Sequence, residues 1–354
     1  MNSLKQYTWF LLLLLCSGCI KELNFELGKQ DDLLVVYGIL TDQPGKHLFR
    51  VTRTNAFERQ VDSEPISGAT LMVVDSKAQQ YPFVELSPGS YLFKDTLFQA
   101  SAGERYYLEI DVPNQGRYRS DIEVMPTPVP MDSAYPRVKV KDFDQTLQVM
   151  ADVQIPSDPT GIYLRWDVTR VWRRTSINLQ LLFNDFFRYP PPATCYMTES
   201  IQPNTVQLFG SRRRDAFKLR EQVVANIEPD YKFFERNAFA VVQYRISEKA
   251  YEYWNNLNKI GNPAGTIFDV PPASVRGNIY NVDNPKERIL GYFEVAAVDT
   301  SYTYTDLSIF RYYIADPCSR DFSKRIWEST YFFDPECTYC TNIKGHSLKV
   351  PKFW

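Results

Sequence analysis

Two runs of strict alternation constrain this chain more than anything else in it. Tyr106, Leu108, Ile110 and Val112 alternate with Tyr107, Glu109 and Asp111, and Leu147, Val149, Ala151, Val153 and Ile155 alternate with Gln148, Met150, Asp152 and Gln154 over a longer stretch. Side chains on a strand point to opposite faces with a period of two, so such runs bury one face only as strands of a half-covered sheet. Ile162, Leu164, Trp166 and Val168 repeat the pattern, with Arg165, Asp167 and Thr169 on the other face. The composition agrees. Aromatics make up 15% of the chain, with 23 Tyr and 23 Phe, a bias that favours pleated, half-buried surfaces.

The chain is mainly β on this reading. Leu33 to Leu40, His47 to Thr54, Ala69 to Asp75, Gln80 to Leu86, Tyr91 to Phe93 and Arg117 to Val124 join the 106–112 run as short strands. Pro88-Gly89 and Asn114-Gln115-Gly116 supply turns between them. They predict an N-terminal β-sandwich over 33–124, which resembles immunoglobulin-like and transthyretin-like modules. That architecture alone implies no activity. Met125 to Pro130 is Pro-rich and reads as a joint, and 131–354 as a second β-rich domain. Thr175 to Glu235 is less regular, whereas Phe239 to Ile246 is a buried strand. Ser247 then caps a helix near 248–260, with Glu248 in its positive first turn, Ala250, Tyr251, Trp254 and Leu257 on one face, and Gly261 as its stop. Ile289 to Val298 and Tyr302 to Tyr313 read as two closing strands.

The first eighteen residues look like a lipoprotein signal peptide. Lys5 gives the positive start and Trp9 to Leu15 the apolar run, which is far short of the roughly 20 residues that span a bilayer. Cys16-Ser17-Gly18-Cys19 resembles a bacterial lipobox, with Cys16 standing where a Leu is usual. Cys19 is therefore the expected lipidation site, a membrane anchor, with 19–32 as a polar tether. Ile20-Lys21-Glu22 resembles the signal that sends Bacteroidota lipoproteins to the outer face of the outer membrane.

Four further cysteines, Cys195, Cys318, Cys337 and Cys340, suit disulfides in an oxidising compartment. Two arrangements stay open: Cys195 with Cys318 and Cys337 with Cys340, or the last two cysteines reaching back separately. A four-Cys zinc site is less economical, since Cys337-x-x-Cys340 is the one paired spacing.

Little else suggests chemistry. There are two His, His47 and His346, so a His-based nucleophile or a multi-His metal site is poorly supported. No catalytic residue, metal or cofactor is expected. A net charge of −2 argues against a nucleic-acid partner. Arg173-Arg174 and Arg212-Arg213-Arg214 suit an anionic or acidic contact, or a solvated surface. Phe183, Phe186, Phe187 and Tyr189, beside Pro190-Pro191-Pro192, are the expected contact for a partner or ligand, because aromatic anchors on loops are typical of binding hot spots.

Motifs along nearly the whole mature chain resemble the Bacteroidota lipoprotein family catalogued as domain of unknown function 4249. They include Val35-Val36-Tyr37-Gly38, Ser67-Gly68-Ala69, Tyr118-Arg119-Ser120, Gln243-Tyr244-Arg245-Ile246-Ser247 with Tyr251 and Trp254, Gly277-Asn278-Ile279, Leu290-Gly291-Tyr292-Phe293 and the ending Lys349 to Trp354. Lys344-Gly345-His346 departs from the Gly-Gly turn that relatives show. The resemblance implies an outer-membrane lipoprotein, often encoded beside a TonB-dependent transporter, and implies no reaction. The leading expectation is a non-enzymatic, surface-exposed partner of such a transporter. The competing one is a structural or adhesive envelope protein with immunoglobulin-like domains.

Overall fold

The computed structural model describes residues 33–45, 47–54, 63–142, 144–176, 180, 184, 191–201, 205–261, 275–314 and 339–354. The architecture is mainly β with a single long helix among these residues. Nine strands come first: β1 (Leu34–Thr41), β2 (Leu48–Arg53), β3 (Glu64–Pro65), β4 (Thr70–Asp75), β5 (Gln80–Ser87), β6 (Ser90–Phe93), β7 (Arg105–Val112), β8 (Gly116–Ser120) and β9 (Glu123–Val124). Seven more follow: β10 (Met131–Lys141), β11 (Asp144–Ile155), β12 (Ile162–Thr175), β13 (Thr194–Ile201), β14 (Gln207–Ser211), β15 (Phe217–Ile227) and β16 (Asn237–Ile246). Helix α1 (Glu248–Gly261), β17 (Ile279–Asn281) and β18 (Leu290–Thr305) complete the set.

One continuous path of pairing runs β13-β12-β16-β18-β1-β2-β6-β5-β4-β7-β8-β17, and β10-β11-β15 forms a separate three-stranded sheet. Strand β18 is the hinge of this topology. Its first half lies parallel to β1, with Tyr37 opposite Tyr292, and its second half lies antiparallel to β16, with Val242 opposite Thr300. What the sequence reads as two closing strands is thus one strand through Thr305. It stops where the Asp306 side chain accepts from Ser308 N at 2.8 Å and starts a 3₁₀ turn.

Two large apolar clusters lie on either side of the 125–130 joint. Leu34, Val36, Phe49, Leu108 and Ile110 belong to the first, and Leu147, Val149, Leu164, Trp166 and Val241 to the second. The first also takes in Ile279, Ile289, Phe293 and Val295 from the C-terminal part of the chain. The N-terminal strands therefore complete their core with residues from far along the chain, by the parallel β1–β18 pairing that sets Val36 opposite Gly291. Gly291 makes that approach possible. Its φ is +95°, and a Cβ there would lie 1.8 Å from the Val36 carbonyl oxygen.

Helix α1 packs on the opposite face of β1 and β18. Ser247 accepts from Ala250 N at 3.2 Å as the N-cap. Ala250 and Tyr253 are buried with Ile246, Tyr292 and Ala296, and Tyr251, Trp254 and Leu257 pack beside them. Among the described residues no helix is long and apolar enough to cross a membrane.

Candidate functional site

The face of β12 that carries polar residues meets helix α1, and two polar assemblies result. The inner one is centred on a buried ion pair. Arg165 and Glu294 are 3% and 0% exposed at their side chains and 3.2 Å apart, and Arg165 also reaches Asp167 at 2.8 Å. The guanidinium lies 4.0 Å from the Tyr244 ring centre and 4.9 Å from that of Trp254, whose indole N–H donates to Glu294. Burial opposes the Arg165 charge, and Glu294 and Asp167 more than offset it. Burial beside Glu294 pushes the Tyr37 hydroxyl far above its ordinary value, and burial near Asp167 lifts Tyr244 to about 12. This assembly has the marks of a structural keystone: every charge faces a partner, and Arg165 and Glu294 at its centre are shut off from water, with only Asp167 reaching the surface.

The outer assembly is open. A cleft of about 260 Å³ is lined by Tyr163 of β12, Gly210 of β14, Arg212, and Glu248, Tyr251 and Glu252 of α1. Tyr163 and Tyr251 form its floor, with ring centres 5.2 Å apart and planes tilted by 44°. Gly210 gives the rings their room, since a Cβ there would lie 2.9 Å from Tyr251 Cζ and 3.1 Å from Tyr163 Cδ1. Arg212 spans the rim and donates from Nε to Glu248 Oε1 at 2.9 Å. The Tyr163 hydroxyl is buried beside this pair without an aligned hydrogen bond to it.

The electrostatics of the cleft are settled by its own residues. The neighbouring Tyr163 hydroxyl and Arg212 guanidinium hold the Glu248 carboxyl below its usual range. Burial pushes Tyr163 up. Glu248 therefore stays ionised and Tyr163 protonated at neutral pH. Beneath the cleft Arg245 donates to the Gly161 carbonyl at 2.7 Å and pairs with Asp158 at 3.5 Å, fixing the 156–161 loop.

The residues singled out in the sequence fall elsewhere. Cys19 and the aromatic set Phe183, Phe186, Phe187 and Tyr189 lie outside the described residues. Cys195 is bonded to Cys340, with Cα atoms 5.8 Å apart, which rules out pairing Cys195 with Cys318 and Cys337 with Cys340. The arrangement in which the last two cysteines reach back separately accommodates this bond, and Cys318 and Cys337 lie outside the described residues. Spacing favoured neither arrangement; the Trp172, Met197 and Ile343 contacts that bury both sulfurs decide it. The arginine clusters are largely committed within the fold. Arg173 pairs with Glu235, Arg212 with Glu248, and Arg213 lies 5.1 Å from the Phe217 ring centre. His47 is buried between Phe93 and Phe98, and burial lowers its pKa. Among the described residues no three or more His, Cys, Asp or Glu side chains converge as a metal site.

Tyr163, Gly210 and Glu252 escaped the sequence reading. Tyr163 sits in the polar register of β12, and only the helix crossing over that register marks it out. Taken together, the fold and cleft define a mainly β protein whose one long described helix closes a small aromatic, charge-rimmed site on a sheet. The sequence profile of the domain of unknown function 4249 family matches residues 20–302, and the chain belongs to that family. Comparison with curated proteins finds no match.

Proposed function

We propose that this chain is a non-enzymatic, lipid-anchored protein of the Bacteroidota outer membrane, exposed at the cell surface, that handles a ligand for a TonB-dependent transporter. The observation that carries the ligand-handling part is the cleft between β12, β14 and α1. It offers an aromatic floor, an ionised rim and the buried Tyr163 hydroxyl set beside Glu248 and Arg212. Small-molecule sites are built in this manner, from apolar rings with a few placed polar groups. At about 260 Å³ the cleft suits one small moiety rather than an extended ligand. The anchor part rests on the lipobox-like run before Cys19. The finer fold reading, an N-terminal immunoglobulin-like or transthyretin-like sandwich, belongs to the same proposal and rests on the short meandering strands β1–β9.

Purification from native membranes under mild detergent tests the reading. A co-purifying β-barrel transporter supports it, and repeated recovery of the chain without one refutes it.

A further inference from the structure

Residues 339–354 are strapped across the outer strand of the sheet. Cys340 is bonded to Cys195 on β13, and the next residue of that strand, Tyr196, exchanges backbone hydrogen bonds of 2.8 and 2.9 Å with Ser347. Phe353 stacks on Tyr302 with ring centres 5.0 Å apart, and Trp354 meets Tyr196 edge-on at 5.1 Å. The Tyr304 hydroxyl donates to the Phe353 carbonyl at 2.8 Å. Arg236 lies 4.2 Å from the Tyr304 ring centre and 5.7 Å from that of Trp354.

The strap is fixed on its inner side and bare on its outer side. Leu348 and Val350 are 61% and 55% exposed, and Tyr302 is 47% exposed. Lys344, Lys349 and Lys352 are exposed among them, and 339–354 contains no Asp or Glu. Glu235, at the margin, is held by Arg173. A lone exposed Leu or Val is ordinary. Exposed apolar side chains on a strap that carries three exposed lysines and no Asp or Glu are a different case. Water solvates the ammonium groups but not the apolar side chains, whereas an anionic bilayer takes both: rings and aliphatic tips at the headgroup boundary, ammonium groups on the phosphates.

We propose that the disulfide-fixed C-terminal strap is a second membrane contact that docks on anionic lipid headgroups. This rests on the reading of the chain as a membrane-surface protein. Acyl anchoring gains most from a basic patch that meets the same surface. The disulfide and the Phe353 and Trp354 contacts hold the strap in place before binding, so little ordering remains to be done at the membrane.

The test uses the full chain carrying Cys19→Ser, so that no acyl chain contributes. It is sedimented with vesicles of phosphatidylglycerol and phosphatidylethanolamine, and separately with phosphatidylcholine vesicles. Binding is expected to the first and not the second, and to fade as salt rises. The K349Q/K352Q double variant should bind the anionic vesicles about 25-fold more weakly, at about fivefold per cation. Thermal melts of the variant establish that it is folded. Absence of binding to phosphatidylglycerol, equal binding to phosphatidylcholine, or an unaffected double variant each overturns the proposal. Membrane fractionation of the wild-type chain against Cys19→Ser reads the anchor separately, so failure of the anchor and failure of the strap are told apart.

Discussion

The Tyr292 hydroxyl donates to the buried Glu123 carboxylate at 2.7 Å, joining β18 to β9 across 169 residues of sequence. Asn278 donates to the same oxygen at 3.3 Å and clasps the Phe293 backbone from both sides, at 2.8 and 2.9 Å. Glu123 is thus a post on which the N-terminal strands, the approach to β17 and β18 converge beneath α1. Its burial pushes its pKa above the ordinary 4.5, and the Tyr292, Ser247 and Asn278 side chains only partly counter that.

The contribution of Glu123 to stability should therefore fall as pH rises above 4.5. Between the ordinary carboxyl value and the raised folded value the native state holds a proton that the unfolded chain has released, so raising the pH favours unfolding. E123Q keeps a group that Tyr292 can donate to and removes the charge. Across this range the urea midpoint of the wild-type chain should decline relative to that of E123Q, since the opposite slope from the lowered pKa of buried His47 is common to both. Parallel profiles would show that Glu123 does not carry the effect.

The Arg165–Glu294 pair makes a second prediction. R165M leaves a fully buried carboxylate with its cation gone, and removing one partner of such a pair costs about 3–5 kcal/mol. R165M/E294Q removes both charges and should recover much of that loss. The double-mutant cycle should give a coupling of more than about 1 kcal/mol. Additive losses would mean that the two residues are held independently.

Much of the β framework was legible in the sequence because one face of each strand is buried. β7, β11 and β12 alternate, and their apolar registers are the core. Helix α1 was legible from Ser247, its apolar face and Gly261. β10 and β15 were not. Arg137, Lys139, Lys141, Lys218 and Arg220 interrupt them, and Pro136 sits inside β10, because both strands flank β11 at the edges of a small sheet. The parallel β1–β18 pairing had no local signal at all, since nothing in either strand encodes a partner so far along the chain. The cleft was half legible. Tyr251 and Arg212 stood out as residues, but their meeting with Tyr163 depends on where α1 crosses the sheet.

The Cys195–Cys340 bond closes a span of 145 residues. Cross-links of that length restrict the unfolded chain strongly, and losing one typically costs about 2–5 kcal/mol. C195A/C340A should lower the thermal midpoint while the far-ultraviolet circular dichroism spectrum stays β-rich, because both large cores lie outside the Cys195–Cys340 cluster. An unchanged midpoint under oxidising conditions would show that the strap is held by its Tyr196 and Tyr302 contacts alone.

The cleft can be closed without touching its charged rim. G210V places a branched side chain where a Cβ already lies 2.9–3.1 Å from the Tyr251 and Tyr163 rings, so those rings must be displaced or the floor filled. The cost to the fold should stay within about 1–3 kcal/mol, because the obstructing atoms belong to side chains and not to the backbone. Any ligand or transporter recovered with the wild-type chain should then be lost from folded G210V, while E252Q, which leaves the floor intact, should weaken recovery by no more than about tenfold, the worth of one exposed polar contact. Full recovery with G210V would place the binding surface elsewhere on the molecule, and equal loss with both variants would point to the charged rim of the cleft in place of its aromatic floor.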